Sequence, residues 1–315
     1  MSVFAIGETV FDIIFKDGKP IASTPGGSML NTAVSLGRLG LDVHFISEYG
    51  NDTVGRLVDD FLHTNGVHTG YACRYDELPT SLALAFLDRN NNAEYSFYKR
   101  SPAKRLDVAF PELSKDDVVI YGSFYGIDPD IYARLKPFLE QAHAKNAMVI
   151  YDPNFRKAHL SGMNTYRPII MKNFAHADIV KGSDEDFAHI FGVHSALETW
   201  QAVQDMCEML VYTANSADVK LCLCDGVCDS YPVPPIVPVS TIGAGDTFNA
   251  GLIYGLATLD IGRDDLKHLN GQQRAAIVGD AIRFAGHVCM SYDNYLSQEF
   301  ANEMRTNHGL SVFIP

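Results

Sequence analysis

Residues 240–251 read STIGAGDTFNAG, and this stretch joins a tight glycine turn to the start of an apolar helix. Gly243, Ala244 and Gly245 let the backbone approach an anion closely, because no large side chain intervenes. Residues 247–259 are apolar, rich in small residues and free of proline, so they predict a buried helix. A helix start presents free N–H groups and the positive end of the helix dipole. The stretch therefore predicts a phosphate-binding turn.

Asp246 lies in the first turn of this predicted helix, beside the phosphate that the turn would hold. A carboxylate there can accept the proton of an attacking hydroxyl, as phosphoryl transfer to an alcohol requires. A structural alternative uses the same residues, since Gly-Ala-Gly can precede any helix and an aspartate complements its dipole. The chain carries no Walker A sequence, which excludes a P-loop NTPase.

The composition of the 315-residue chain indicates a globular protein with a sizeable core, since 47% of its residues are hydrophobic and 20% are charged. A net charge of −13 disfavours nucleic acid and anionic membranes as main partners. No apolar run approaches the ~18 residues that a membrane span needs, and the N-terminus lacks the basic segment of a signal peptide. We therefore expect a cytoplasmic protein with no nucleic acid or membrane partner.

Three of the six cysteines, Cys222, Cys224 and Cys228, lie close enough in sequence to suggest a metal site. No C-x-x-C pair or nearby histidine accompanies them, so zinc is disfavoured. Cys222 and Cys224 lie two apart in a predicted strand, and we interpret them as small apolar residues on one face. A cytosolic chain of this size does not need disulfides.

Strand-like and helix-like segments alternate along most of the chain. Predicted strands cover residues 3–7, 43–47, 118–121, 148–152, 178–180 and 219–224. Predicted helices cover residues 30–39, 53–64, about 130–144, about 247–259 and about 271–289. This alternation predicts an α/β fold with a doubly wound, mainly parallel sheet and helices on both faces.

Two segments depart from the alternation, at about residues 11–21 and 81–100. Strand signals there surround turn residues, Asp17-Gly18 and residues 90–92 (NNN), with no helix between the partners. We interpret them as a small extra sheet, a candidate lid or dimer surface, with simple edge hairpins as the alternative. Residues 1–315 are then one domain with a lid, and a homodimer through the lid is one expectation.

A second glycine turn lies near the N-terminus, where residues 25–33 read PGGSMLNTA. Gly26 and Gly27 allow close backbone approach to a ligand, and Asn31 offers a donor and an acceptor to a hydroxyl. Glu8 and Asp12 follow the first predicted strand, at the edge where ligands gather in parallel sheets. Two acidic residues suit a polyhydroxylated ligand better than an anionic one.

Taken together, these residues resemble the PfkB (ribokinase-like) family of carbohydrate kinases over essentially the whole chain. The N-terminal signature of that family is matched from Gly26 through Asn31 to residues 37–40 (GRLG), and the C-terminal signature by residues 243–251. Two signatures in the right order are more specific than either alone. Residues 97–103 and 152–156 look most like fructokinases and 2-keto-3-deoxygluconate kinases.

The resemblance implies phosphorylation of a sugar hydroxymethyl group by ATP with Mg²⁺, and a β-sheet lid on a doubly wound body. It implies that Asp246 accepts the hydroxyl proton and that the N–H groups of Gly243, Ala244 and Gly245 form an anion hole. The implied sugar-binding residues are Asp12, Gly26, Gly27, Asn31 and Arg156. The implied ATP-binding residues are Lys181, Ser183, Asp225, Gly226, Gly243, Gly245 and His287.

The chain departs from the family pattern at several positions. Ser240 stands where relatives have an aspartate that helps to bind a monovalent cation, which argues against K⁺ activation. Ser183 and Asp186 stand where Asn and Glu are common, and Asp186 would act on Mg²⁺ through water. His287 would replace an asparagine near the adenine, although a helical histidine facing core or solvent is the more ordinary interpretation.

Lys99, Arg100 and Arg105 form a basic cluster in an acidic chain. A substrate carboxylate bound by Arg100 would explain the cluster and favour 2-keto-3-deoxygluconate, whereas solvated surface charges are an equal alternative.

The first hypothesis is an ATP-dependent kinase of fructose or a related keto sugar, and the second is a sugar-acid kinase. A third, of another class, is a non-catalytic sugar- or nucleotide-binding regulator, against which Asp246 and the intact glycine turn argue.

Overall fold

The computed structural model describes residues 1–88 and 93–308. The strands are β1 Ser2–Ile6, β2 Val10–Lys16, β3 Lys19–Gly26, β4 Asp42–Ile46, β5 Glu48–Gly50, β6 Val67–His68, β7 Cys73–Tyr75, β8 Leu82–Leu87, β9 Ala93–Tyr98, β10 Val118–Gly122, β11 Met148–Asp152, β12 Ile179–Ser183, β13 Met209–Thr213, β14 Val219–Leu223 and β15 Cys228–Tyr231. The helices are α1 Ser28–Arg38, α2 Thr53–Thr64, α3 Pro129–Lys145, α4 Met163–His176, α5 Asp184–Phe191, α6 Ala196–Val203, α7 Ala244–Thr258, α8 Gly271–Val288 and α9 Gln298–His308.

Nine strands form the main sheet, in the order β15-β14-β13-β12-β11-β10-β1-β4-β6. All neighbours from β13 to β6 pair in parallel, whereas β14 and β15 pair antiparallel at one edge. Strands β10 and β11 are buried along their whole length, as expected when helices cover both faces of a parallel sheet. The predicted doubly wound α/β fold is confirmed.

The two faces of the main sheet carry separate hydrophobic cores. One core includes Leu30 of α1, Leu252 of α7 and Ile277 of α8. The other includes Leu135 of α3 and Trp200 of α6. Since the chain runs outward from β1 to β4 and β6 and then returns to β10 on the other side, strand order reverses between β1 and β10. Ligands bind at the carboxyl ends of the strands beside such a reversal.

A second sheet has the order β3-β2-β8-β9, and it contains the two segments that departed from the alternation. The predicted turn at Asp17 and Gly18 joins β2 to β3, and both residues have positive φ, 52° and 73°. Strands β2 and β8 pair in parallel, while β8 and β9 pair antiparallel. The predicted turn at residues 90–92 lies outside the described residues.

The structure corrects the interpretation of the cysteines. Cys222 and Cys228 are directly opposite each other on β14 and β15 and are joined by a disulfide. Cys224 is exposed, because β14 ends at Leu223 and the chain turns through Gly226, with φ 88°. The prediction that Cys222 and Cys224 share an apolar strand face was therefore wrong, as was the expectation that no disulfide is needed.

Other differences concern short or late elements. The sequence analysis missed β13, and it began α7 at residue 247, whereas the helix begins at Ala244. Strand β13 was missed because an apolar run of five residues carries no periodicity that separates strand from helix. The start of α7 was placed late because residues 244–246 were interpreted as part of the glycine turn. None of the described helices has both the length and the apolar character that a membrane span requires.

Helices α7 and α8 pack backbone to backbone. A methyl group on Gly251 would lie 2.5 Å from the Cα of Ala281, and one on Gly255 would lie 2.8 Å from the Cα of Ile277. The backbone of α8 cannot yield to such a group without moving the helix. Gly251 of the C-terminal signature and Gly255, one turn later, therefore fix how closely α7 lies against its neighbour.

We predict that Gly251→Ala destabilises the protein by about 1–3 kcal/mol, because the added methyl group overpacks this contact. Gly279→Ala is the matched control, since Gly279 lies in the interior of α8 with open space around it. That variant is expected to gain about 0.5–1 kcal/mol from helix propensity. Urea denaturation measures both changes, and equal effects of the two substitutions would contradict the packing argument.

Candidate active site

The carboxyl edge of the main sheet, beside the reversal at β1 and β10, gathers most of the predicted site residues. Asp12 lies on β2 and Gly26 on β3, both in the second sheet, which we call the small sheet. Helix α1 begins directly after Gly27, and Asn31 lies in its second turn. Lys181 lies in β12 and Asp246 in the first turn of α7.

The glycine turn has the conformation that the sequence predicted. Gly243 is the N-cap of α7 with φ 79°, and a side chain there would collide with the Asn294 carbonyl, 2.5 Å from the added carbon. Gly245 is exposed. The N–H of Ala244 donates to the Thr241 carbonyl at 3.3 Å, so one of the three predicted anion-binding groups already has a partner.

Asp246 is held by α1. Its two carboxylate oxygens accept hydrogen bonds from Ser28 Oγ at 2.6 Å and Asn31 Nδ2 at 2.8 Å. Thr32 Oγ1 donates to its backbone carbonyl at 2.9 Å. Asn31, assigned to the sugar, therefore also orients the carboxylate, and its buried Oδ1 has no partner among the described residues. Sequence reasoning missed Ser28, although it follows the Gly26-Gly27 pair directly.

The pKa of the Asp246 carboxyl is raised. Burial is the main cause, and the hydrogen bonds from Ser28 and Asn31 oppose it. The charge of Asp152 raises this pKa further, and that of Lys181 lowers it. A carboxylate with a raised pKa is a better acceptor for a proton than an ordinary aspartate.

A buried polar cluster lies behind the glycine turn. The ammonium of Lys181 donates to Asp152 Oδ2 at 2.9 Å, and Asn249 Nδ2 donates to the same oxygen at 2.7 Å. Asp152 and Lys181 are only 1% and 5% exposed. Lys181, predicted to bind ATP, is therefore engaged in an ion pair below the surface.

Ser183 and Asp186 form a capping box at the start of α5. Asp186 accepts from the backbone N–H and hydroxyl of Ser183, both at 2.7 Å, and from the Phe155 N–H at 2.5 Å. Burial, the largest cause, raises the pKa of Asp186, and the nearby Asp152 raises it further. Both carboxylate oxygens are thus used inside the fold.

Asp12 lies on the small sheet, and its carboxylate packs against the Cα side of Gly26, leaving no room for a side chain at that position. Burial raises its pKa to about 6, and the charge of Lys99 opposes the shift. Burial raises the pKa of Tyr95 on β9, the charge of Asp12 raises it further, and the charge of Arg156 lowers it. Arg156 is exposed.

The basic cluster is divided by ion pairs. Lys99 bonds to Glu8 at 2.7 Å, and Arg105 bonds to Glu48 at 2.5 Å and to Asp128 at 3.1 Å. Arg100 is exposed beside them. Two of the three positive charges are therefore neutralised by carboxylates of the protein.

The remaining predicted ATP residues make local contacts. Asp225 and Gly226 form the exposed turn between β14 and β15, where Asp225 Oδ1 accepts from the Val227 N–H at 3.0 Å. His287 stacks on Phe300 of α9 with ring centroids 4.0 Å apart and lies 3.1 Å from Ser297 Oγ. These contacts match the ordinary interpretation of a helical histidine.

Comparison with known proteins identifies the class. The model of the pfkB family of carbohydrate kinases matches residues 1–288, and the chain belongs to that family. Fructokinase-1 of Zea mays is 30% identical over 257 residues, which cover 78% of this chain and 77% of that protein. As a carbohydrate kinase, the chain is a phosphotransferase that acts on a sugar hydroxyl, which confirms the predicted enzyme class.

Solved structures show the same fold. The fructokinase of Vibrio cholerae O395, in a form bound to fructose, ADP and calcium ion, matches with a TM-score of 0.81 at 22% identity, covering 94% of this chain and 95% of that chain. Aminoimidazole riboside kinase from Salmonella enterica, complexed with aminoimidazole riboside and an ATP analog, matches with a TM-score of 0.80 at 18% identity, covering 98% and 100%. These two proteins bind different substrates on the same fold, so the choice of substrate depends on individual side chains and not on the fold.

We predict that Asp12→Asn stabilises the protein at pH 8 by roughly 2–3 kcal/mol, because a carboxyl with a raised pKa binds its proton more tightly when folded. The charged carboxylate therefore costs stability progressively as pH rises from about 4 through 6. The advantage of Asn should shrink as pH falls through about 6 and vanish below about 4, where the carboxyl is protonated in both the folded and the unfolded chain. Urea denaturation at pH 4.5, 6 and 8 measures the trend, and a constant difference across that range would contradict it.

Proposed function

We propose that this chain is a fructokinase that transfers the γ-phosphoryl group of ATP to a hydroxymethyl group of fructose, with Asp246 as the base. The observation that carries the proposal is the Asp246 carboxylate, oriented by Ser28 and Asn31 in the helix turn that follows the exposed Gly245. Sequence relatives named as fructokinases support fructose as the acceptor.

The proposed reaction uses the site as follows. The sugar hydroxyl gives its proton to Asp246 while the oxygen of that hydroxyl attacks the γ-phosphorus. The bond between the γ-phosphorus and the bridging oxygen breaks, and ADP is the leaving group. The N–H groups of Gly243 and Gly245, with the positive end of α7, stabilise the phosphoryl oxygens. We assign Ala244 a lesser part, because its N–H already donates to Thr241. Asp12, Gly26, Gly27 and Asn31 hold the sugar hydroxyls.

The proposed metal is Mg²⁺, which would neutralise charge on the ATP phosphates. The described residues contain no group of three or more His, Cys, Asp or Glu that could hold a metal ion by themselves. This fits Mg²⁺, which commonly keeps several waters and binds mainly through phosphates. Asp186 would contact it only through water, since its oxygens already accept three backbone and hydroxyl bonds. With the neutral Ser240, we expect no K⁺ requirement.

A neutral sugar is favoured over a sugar acid by the charges around the small sheet. Lys99 and Arg105 are paired with Glu8, Glu48 and Asp128, so the cluster offers little unbalanced charge to a carboxylate. Asp12 adds a negative charge where a sugar acid would need a positive one. Arg100 and Arg156 remain proposed contacts to substrate oxygens.

The nucleotide would lie on the other side of the glycine turn. Its proposed contacts are the exposed turn at Asp225 and Gly226, together with Ser183 and His287, and these assignments stay predictions. An ATP-dependent sugar kinase fits a cytoplasmic location.

We expect the wild-type protein with ATP and Mg²⁺ to turn over fructose faster than 2-keto-3-deoxygluconate, ribose, tagatose or a nucleoside. Asp246→Asn should lower kcat by ~10²–10⁴-fold or more, because the base is lost, while ATP affinity stays within a few-fold. A coupled ADP-release assay and calorimetry measure the two quantities.

The matched control is Asp260→Asn, at the exposed far end of the same helix, where φ is 51° and asparagine is well tolerated. Its kcat should equal that of the wild type. Near-normal turnover by Asp246→Asn would contradict the assigned base, and faster turnover of 2-keto-3-deoxygluconate would favour the sugar-acid alternative.

The small sheet is proposed to act as a lid over the sugar and as the surface of a homodimer. Its outer face carries Phe86, 41% exposed and stacked on Phe15, and Tyr98, 62% exposed on the edge strand β9. Exposed apolar edge strands are commonly covered in native proteins.

Light scattering during size exclusion should therefore show a dimer for the wild type and a monomer for Phe86→Glu. Val237→Glu changes a residue that is 86% exposed outside both sheets and serves as the control. A wild-type monomer at micromolar concentration, or dissociation by Val237→Glu alone, would refute the dimer surface.

A further inference from the structure

We propose that the buried ammonium of Lys181 serves as a fixed positive charge beneath the phosphate turn, acting on the transferred phosphoryl group through Gly245 without touching ATP. The inference rests on the proposed function, because it concerns the same turn and the same reaction. It makes Lys181 a positioning residue, in place of the direct ATP contact that the sequence suggested.

The first observation is the distance between Lys181 and the turn. A methyl group built on Gly245 would lie 3.2 Å from Lys181 Nζ, the nearest atom there outside the residues adjoining Gly245. Lys181 is buried, whereas Gly245 is exposed. A single backbone segment therefore separates the ammonium group from the solvent side of the turn.

The second observation is the direction of the ion pair. Asp152 accepts from Lys181 and Asn249 through Oδ2, and from the Asn154 N–H through Oδ1 at 3.1 Å. Among the described residues, no Asp152 atom comes within 4 Å of the position that a methyl group on Gly245 would occupy. The positive end of the pair is thus nearest to the turn, and the negative end lies behind it.

The ammonium also stays charged in this position. Burial alone would lower the pKa of Lys181, but the attraction and hydrogen bond of Asp152 outweigh it, and Asp186 and Asp246 add to the rise. Lys181 Nζ also lies 5.9 Å from the centre of the Phe248 ring on α7. No proton exchange by Lys181 is needed for the proposed role.

Such a charge would act where the reaction concentrates negative charge. Phosphoryl oxygens at the turn would meet both the dipole of α7 and the ammonium below it, in a region shielded from water. For unit charges about 6 Å apart and an effective dielectric constant of about 20, removing the ammonium lowers the rate on the order of 10²-fold.

The decisive variant is Lys181→Met combined with Asp152→Asn. It removes both charges at similar volume, and neutral replacement of a buried ion pair often preserves folding. Because the Asp152 charge 2.9 Å behind the ammonium is lost as well, we expect kcat to fall about fivefold, while the KM for the sugar and the Kd for ATP change less than about twofold. If the pair were only structural, a double variant with the stability of the wild type would also have the kcat of the wild type.

A second readout requires no turnover. ADP with fluoroaluminate imitates the phosphoryl group in transfer, so the complex should raise the melting temperature of the wild type more than ADP alone does. The double variant should keep the shift with ADP and lose most of the increment with fluoroaluminate. Loss of a merely structural pair would reduce both shifts together.

A matched control is Arg263→Met with Asp178→Asn. This pair, joined at 2.7 Å, adjoins the amino end of β12 and so lies at the opposite edge of the sheet. It should leave kcat within about twofold of the wild type, whatever it does to stability.

The outcomes separate the two proposals. A kcat for Lys181→Met/Asp152→Asn that is no lower than that of Arg263→Met/Asp178→Asn, or an unchanged fluoroaluminate increment, would overturn the role of Lys181 and leave the kinase assignment standing. Failure of the wild type to phosphorylate any sugar would count against the proposed function, and the fluoroaluminate measurement would still test Lys181.

Discussion

The hydrogen bonds from α1 to Asp246 connect the N-terminal and the C-terminal glycine turns at the site. Ser28 and Asn31 fix the carboxylate, and Thr32 fixes the backbone of the same residue. These contacts span more than 200 residues of sequence, because α1 follows the N-terminal glycine pair and α7 follows the C-terminal one. The N-terminal and the C-terminal glycine turns are therefore joined through one shared carboxylate.

Several features of the site work against stability, as expected where function fixes the residue type. Asp12 is half-buried with a raised pKa, and the buried Oδ1 of Asn31 has no partner in the part of the chain that the structure describes. Asp246 is held at a place where burial raises its pKa. The large two-sided core offsets these costs, since β10 and β11 are buried along their whole length.

The sequence was sufficient for the α/β alternation and for most strands of the main sheet, because buried parallel strands and capped helices have strong local patterns. The Thr53–Thr64 helix with its Asp52 cap is one such case. The sequence was insufficient where contacts join segments that are far apart along the chain. The bonds of Ser28 to Asp246, of Lys181 to Asp152 and of the Phe155 N–H to Asp186 leave no periodic signal in the sequence. The cysteine interpretation failed for a local reason, since it depended on where β14 ends and on the pairing of β14 with β15.

The glycine contact between α7 and α8 has a consequence for the timing of the reaction cycle. A helix whose backbone touches its neighbour at Gly251 and Gly255 cannot slide or tilt without breaking that contact. The glycine turn at the start of α7 is therefore held in a fixed position relative to α8. In the proposed function, the motion that encloses the substrates belongs to the small sheet, so we propose that the slow steps of binding and release are set there rather than in the main body.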